Sequence, residues 1–513
     1  MLTVYENDVI IHNRKHRNTK EICAEMTAVV KNIFRDKELS ESETNSFGNF
    51  ERGGAEMGTV LYDETYGVIV AGGGVSGCAA ALAAARNGAS VLVVERDGYL
   101  GGTLTGCGVG PMMTFHAGEK QVIRGIMEEL VQELVRRGYS TGHVPDTKQY
   151  TSTITPFDSE GLKLVLDEKL RSAGVKVLFH TFLGAVETAD GEVSSLTLCN
   201  KDGLNRVSAK VYIDATGDGD VAAWAGAPMT KGRPEDGAAQ PMTMKMKYCG
   251  VDTARLKAYV LSHPERFGKL APHFALFERD IPFDLEGFDE EFLRSKEEGK
   301  LSIRRENVLM FGTGRPGEYI LNTTRIVGCD ATDAWSLSDA ELEGRRQCAE
   351  LDAFLREHVP GFETAMVEFT GPTVGVRGSR QLVGRHVLTA EDILTRRTFP
   401  DTIAHSGYPI DIHNPSGEGT ASTFMSEPGT YYSIPYSVMV CDALRNLLVT
   451  GRCVSATFEA QAAIRTTPTV GALGQAAGTA AALAAAGGGD VRTVDIPTLR
   501  AALSGQGAWL EEA

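Results

Sequence analysis

The chain changes its hydrophobic rhythm several times. From Glu21 to Lys37, apolar residues recur every three or four positions (Ile22, Met26, Val29, Val30, Ile33, Phe34), which predicts an amphipathic helix. It lies in a polar extension over 1–64, followed by a loose connector, Glu38–Gly58, and reads as a docking arm without visible chemistry. At Gly67 the rhythm becomes a short unbroken apolar run, Gly67–Ala71, then an alanine-rich helix over Cys78–Asn87 and a second apolar run at Ser90–Glu95. Strand, turn, helix and strand in that order make a βαβ unit with a right-handed crossover. Helical spacing returns at Gly125–Arg137 and Ser159–Ala173. Val175–His180, Ala185–Thr188, Val193–Leu198 and Ala209–Asp214 read as strands between Gly and Asp turns. The pattern is mixed from about Gly232 to Val440 and resumes its first character at Leu447–Ala486.

Composition narrows the classes. There are 51 Lys and Arg against 67 Asp and Glu, a net charge of −16, so a broad nucleic-acid surface is not expected. Nine dispersed cysteines without a CxxC read as reduced thiols, and the amino end lacks the apolar core of a secretory leader; a cytoplasmic protein is expected. The charge-free stretches Tyr66–Ala85 and Thr466–Gly489 are mainly Gly and Ala, which supply too little apolar area for a membrane span.

The chemistry starts at Gly72-Gly-Gly74-Val-Ser-Gly77. In this fingerprint Gly72 permits the tight turn, Gly74 lets the backbone approach a pyrophosphate, and Gly77 lets helix and strand pack closely. The phosphates then meet unpaired N–H groups at the helix amino terminus. Glu95 ends the second strand, where an acid receives the ribose hydroxyls. Gly312-Thr-Gly314-Arg-Pro-Gly317 matches the same spacing. It has no clean strand before it and no amphipathic helix after it, so it is expected to be a loop.

Further motifs follow: Gly101-Gly102-Thr103-Leu-Thr105, Asp214-Ala215-Thr216-Gly217-Asp218, Gly451-Arg452 and Gly471-Ala-Leu-Gly474-Gln475-Ala476. With them the chain resembles the FAD-dependent oxidoreductases among the two-dinucleotide-binding-domain flavoproteins, distantly like the fumarate-reductase and glucose-inhibited-division types. The resemblance covers about 66–486 and extends through Gly375–Gly384, Tyr408–His413 and Ser455–Arg465. It departs at Gly378, where the family often has Glu, and at Phe458, where it often has His. It implies an α/β fold: a Rossmann-like FAD-binding domain, parallel sheet with helices and a β-meander, carrying an inserted mixed α+β substrate cap. The segments are then 65–230 and 441–486 for FAD, 231–440 for the cap and 487–513 for a tail. The implied FAD contacts are Gly72, Gly74, Ser76, Gly77, Glu95, Arg96, Gly101, Gly102, Thr103, Thr105, Ala185, Ala215, Thr216, Gly217, Asp218, Gly451, Arg452, Gly474, Gln475 and Ala476. Asp218 would repel a phosphate and so is expected on a ribityl hydroxyl, or on a phosphate through water. A helix starting near Gly474 would point its positive end at the flavin edge that carries charge when reduced.

On the substrate side, the cap offers Arg325, Arg377, Arg380, His405, Tyr408 and His413, with Arg465 from the returning segment. Arginine binds carboxylates in two-point fashion, and His or Tyr can move a proton as hydride moves. His413, Arg465, Arg380 and Tyr408 are the catalytic candidates, and no metal is expected. Cys107 and Cys453 read as packed thiols. The expected activity is hydride transfer between FAD and a small polar substrate, with carboxylate-bearing compounds included and the electron acceptor open. A flavin-dependent reductase of an activated C=C bond, an RNA-modifying flavoprotein and a non-catalytic flavin-binding subunit stay as alternatives. A homo-oligomer is compatible; nucleic-acid and membrane partners are not expected.

Overall fold

Gly67–Ala71 carries no polar side chain, so a strand made from it must be covered on both faces, as central parallel strands are. In the computed structural model it lies within β1 (Thr65–Ala71), where Val68, Ile69 and Val70 are fully buried. The structure describes residues 65–511 except Ser426 and Pro428, together with two short strands near the amino end. Those strands, Leu2–Tyr5 and Asp8–Ile11, form an antiparallel hairpin within a small unit, Met1–Met57, distinct from the main unit, Gly58–Ala513. The expected helix Glu21–Lys37 and the connector after it lie outside the described residues.

In the main unit, helix α1 (Val75–Arg86) joins β1 to β2 (Val91–Val94), which lies parallel to it with Val70 opposite Val93. Helices α2 (Ile126–Arg136) and α3 (Ser159–Ser172) follow, and β3 (Lys176–Leu178) extends the parallel sheet beyond β2. Strands β4 (Phe182–Ala189), β5 (Glu192–Asn200) and β6 (Gly203–Asp214) form the antiparallel meander. The second half of β6, Ser208–Asp214, then joins β1 as a parallel neighbour, and Leu447–Val449 pairs with the far side of β6. The fold is a Rossmann-like α/β arrangement. Its meander strands are longer than their alternation suggested, because pairing along the whole hairpin satisfies backbone groups that side-chain pattern does not report.

The segment 231–440, expected as one cap, is divided between two cores. Met244 to Ala365 build a core of their own around a five-stranded antiparallel sheet. Its strand order is Asp284–Gly287, Val308–Gly312, Tyr319–Leu321, Met246–Cys249, Met366–Thr370, and helix α4 (Ala334–His358) contributes Cys348, Leu351, Phe354 and Leu355 to its core. Leu388 to Val440 instead pack into the main core with α1 and the sheet. The second glycine pattern corrects another expectation. Gly312 ends a genuine strand, and Thr313–Glu318 turns the chain straight back into Tyr319–Leu321. It is a hairpin, so no helix terminus faces its glycines.

Three more helices close the unit: α5 (Phe458–Ile464), α6 (Thr467–Ala486) and α7 (Ile496–Gly505). Helix α6 starts two turns before the expected Gly474, because Thr466 is extended and Pro468 suits a first helical turn. Its glycines serve packing. A Cβ at Gly474 would stand 2.1 Å from the Ser76 carbonyl oxygen of α1, and one at Gly478 would stand 2.0 Å from that of Ala80. On its other side, α1 meets the turn after β1, where a Cβ at Gly77 would lie 1.9 Å from the Gly72 oxygen. Of the described helices, α6 alone is long and apolar enough to cross a membrane, and it is buried inside the fold.

Gly478→Ala tests this packing. Helix propensity alone favours alanine by about 1 kcal/mol. Forcing two backbones apart should outweigh that and destabilise the protein by about 1–3 kcal/mol. Gly505→Ala, where a Cβ would meet nothing within 4 Å, is the control and should be neutral or stabilising in the same thermal melt.

Candidate active site

The parallel strands of an open α/β sheet deliver their carboxyl ends to one edge, and ligands bind in the crevice outside it. Here a cleft of about 670 Å³ opens at that edge. At the end of β2 the Glu95 carboxylate accepts hydrogen bonds from the Gly73 amide (2.6 Å) and the Asp97 amide (2.8 Å). Burial raises its pKa against the pull of those two amides. A carboxylate has about four lone-pair sites, so it can still accept from a ligand hydroxyl. Gly74 is the open place in the wall: a Cβ there would meet only the Gly102 Cα, at 4.0 Å. Gly101, at φ 104°, bridges to Gly74 and brings Gly102 beside it. A dinucleotide's pyrophosphate fits that cradle, with the uncapped first N–H groups of α1 aimed into it.

The cleft is also lined by Gly72, Ser76, Arg96, Thr103, Ala215, Thr216, Gly217, Gly451 and Arg452. Six other expected contacts support that lining without belonging to it. Gly77 and Gly474 set helix separations, Gly101 positions Gly102, and Ala476 is core. Thr105 donates to the Leu100 carbonyl (2.6 Å), and the Gln475 side chain caps α2 by accepting from the Ile126 amide (2.9 Å). Ala185 stands mid-strand opposite Thr197, away from the cleft. Asp218 lies outside the lining; its Oδ1 accepts from Arg452 (2.8 Å) and from the Ser379 hydroxyl. The helix terminus that faces the cleft is Thr466–Thr467, not Gly474; Thr466, Thr467 and Val470 line it, and no side chain caps that end.

The far end of the cleft gathers the substrate-side candidates. Tyr408, Asp411 and His413 come from one segment and Arg465 from the end of α5. His413 Nδ1 accepts from Arg325 Nη2 (3.2 Å), since arginine can only donate, and this leaves Nε2–H facing Asp411 Oδ2 at 3.4 Å. Burial, helped by Arg377, pushes His413 down to about 3. It is a neutral, doubly engaged imidazole at physiological pH, which corrects the expectation of a histidine that titrates near neutrality. Burial raises the Asp411 carboxyl, but His413 and Arg465 outweigh it and hold it well below the usual range. Arg465 Nη2 donates to the Asp411 carbonyl (3.2 Å), whereas its buried Nε has no partner. Tyr408 donates to Asp411 Oδ2 (3.3 Å), and burial drives its phenol well up. Arg380 lies on the wall but is bound to Asp220 and the Asp218 carbonyl. His405 is elsewhere, packed between Tyr431 and Trp509. Neither Gly378 nor Phe458 lines the cleft; the space beside Gly378 is taken by the Gln461 side chain.

Sequence reasoning passed over Lys245, a buried cleft residue that burial and the nearby Arg377 bring down to about 7. It also missed Phe182 and Trp224, half-exposed aromatics on the lining close to Leu196 and Leu198, apolar enough to take a flat ring. The alternation Met242-Thr-Met244-Lys-Met246-Lys247 is a strand rhythm that assigns the methionines to the core and both lysines to the opposite face, and nothing in it signals that this second face is covered too.

Residues 67–503 match the family model described as FAD dependent oxidoreductase. Among solved structures the chain is similar to a geranylgeranyl bacteriochlorophyll reductase-like protein from Thermoplasma acidophilum, at 14% identity and TM-score 0.43, covering 86% of this chain and 83% of that one. It is similar to p-nitrophenol 4-monooxygenase from Pseudomonas putida DLL-E4, at 11% identity and TM-score 0.43, over 87% and 90% of the two chains. It is also similar to L-proline dehydrogenase from P. horikoshii, at 11% identity and TM-score 0.42, over 88% and 100%. No curated protein matches.

Gly74→Arg fills the open place in the cradle, so the variant should melt as a folded protein yet carry no visible flavin absorbance. Glu95→Ala leaves the Gly73 amide without its buried acceptor and removes the acid from the cleft. Flavin affinity should fall by roughly 1–3 kcal/mol, about 5- to 150-fold in Kd, read by titrating the apoprotein with FAD.

Proposed function

The chain belongs to the FAD-dependent oxidoreductase family, and from that membership we propose that it transfers hydride between FAD and a small, carboxylate-bearing organic substrate held at the far end of the cleft. The observation that carries this reading is the charge imbalance there. Arg377 and Arg465 line the cleft with Asp411 as their nearby carboxylate, Lys245 lines it with none, and Arg465 keeps an unpartnered buried Nε. Buried cations without counter-charges are costly, and an anionic substrate relieves that cost on binding.

The cradle at Gly74 and Gly102 fits the pyrophosphate of FAD, Glu95 fits a ribose, and the open end of α6 favours negative charge on a bound ring system. When bound, FAD supplies a two-electron acceptor or donor of hydride. The chain's own residues do the rest. Arg465 and Arg377 orient a carboxylate by paired N–H donors. Asp411 fixes Arg465, His413 and Tyr408 relative to one another. The cap covers the reacting carbon from water. Eight described cysteines, all free, support a reducing compartment such as the cytoplasm.

Exposing the anaerobic yellow protein to fractions of a metabolite extract tests the reading. A fraction of small organic acids should bleach the flavin. Pre-reduced protein reoxidised by unsaturated acids, with no bleaching by saturated ones, would reverse the direction to C=C reduction. Arg465→Lys keeps a charge but loses the planar two-point geometry, so it should retain FAD while bleaching at least tenfold more slowly at sub-saturating substrate. Unchanged bleaching in that variant would count against a carboxylate held by Arg465.

A further inference from the structure

Two lysines project from the same face of one extended segment, two residues apart, and their surroundings differ. Lys247 Nζ lies 3.1 Å from a Glu368 carboxylate oxygen and 3.5 Å from one of Glu318. Lys245 is equally buried, and among the described residues no carboxylate or hydrogen-bond acceptor meets its amine. Its Nζ lies 5.9 Å from the centroid of the Phe311 ring, on the cleft wall beside Thr243, Asn322 and Arg377. Thr243 Oγ1 and Asn322 Oδ1 are also buried without partners. Three unsatisfied polar groups on one wall describe a place for a ligand that brings its own polar hydrogen and its own negative charge.

We propose that Lys245 is the group that exchanges a proton with the substrate in this cleft. The proposal rests on the oxidoreductase reading above. In the oxidising direction the substrate's C–H bond breaks and its electron pair leaves with the hydrogen to FAD. The adjacent O–H or N–H bond breaks, its proton passes to the lysine amine, and a C=O or C=N bond forms. The lysine ends as an ammonium and FAD has gained two electrons. The charged and titratable groups facing Lys245 are Arg377, Arg305, Arg465 and the Cys107 thiol; the arginines disfavour the ammonium form, and burial does so more. His413 cannot take the role, because both of its ring nitrogens are engaged and it stays neutral.

The first test needs no substrate. The flavin-loaded protein is treated with glyoxylate, a small anionic aldehyde, and cyanoborohydride, and modified peptides are mapped by mass spectrometry. With a pKa near 7, the amine is about half neutral at pH 7, roughly a thousandfold above an ordinary lysine, so Lys245 should be carboxymethylated first and plateau above neutral pH. Labelling that favours surface lysines, or that rises at Lys245 only above pH 9, would overturn the proposal. The second test uses the bleaching fraction. Lys245→Met and Lys245→Arg should both keep the visible flavin spectrum and melting temperature, and both should bleach about 10²–10⁴-fold more slowly. Wild-type bleaching should rise as pH passes upward through about 7, and neither variant should show that rise. Rescue by arginine would reduce Lys245 to a fixed positive charge and overturn the proton role. If no fraction bleaches even the wild type, the oxidoreductase reading fails, while the labelling result still decides whether Lys245 is a free amine.

Discussion

The whole site depends on one close contact, the crossing of α1 and α6 at Gly474 and Gly478. Where a side chain would otherwise separate them, the two helices approach until one backbone lies against the other. That distance fixes where both helices begin, at Gly74 and at Thr466, and both beginnings open into the same cleft. In the proposed function one serves a pyrophosphate and the other a ring system, so the spacing between two parts of a long cofactor would be set by small residues that do not line the cleft. The alanines that fill the rest of the interface contribute little apolar area each. The contact is therefore a matter of dispersion at short range and of exclusion, with the surrounding sheet and α2 holding it shut.

Charge at the far end follows a different logic. Burying arginines beside a lysine raises the free energy of the empty site, and Asp411 offsets only part of it. The cost is placed where a ligand can recover it. Asp411 itself is hardly free to act, since it serves His413, Arg465 and Tyr408 at once. The rigid members of this cluster thus orient the others, and the ones with open valences face the cleft.

What was legible in the sequence was local. Gly72 to Glu95 could be read because each residue's task is met within one βαβ unit, and the Asp214–Gly217 turn because it ends a strand that pairs with the first. Errors arose where the same residue serves two physical ends. Gly474 reads from sequence as the start of a helix aimed at the flavin edge, and it lies two turns inside that helix, where it makes room for α1. Gly312 reads from sequence as part of a loop, and it ends a strand that pairs with Asp284–Gly287 on one side and, in a hairpin, with Tyr319–Leu321 on the other. The Arg452 that binds Asp218 lies far along the chain, so this pairing has no local signal. Lys245 was invisible for a related reason: what distinguishes it from Lys247 is the position of Glu318 and Glu368, which only the folded cap sheet brings together.

The order of these pieces along the chain has a consequence for synthesis. Helix α1 is made early, and the helix that covers its face begins nearly four hundred residues later, so at about 5–20 residues per second roughly 20–80 s separate the two. Over that interval the face of α1 at Ser76 and Ala80 lacks its native partner, and the cradle lacks the wall that completes it. Cofactor capture is thereby postponed to the closing stage of biogenesis, after the cap sheet has had time to form around its own core.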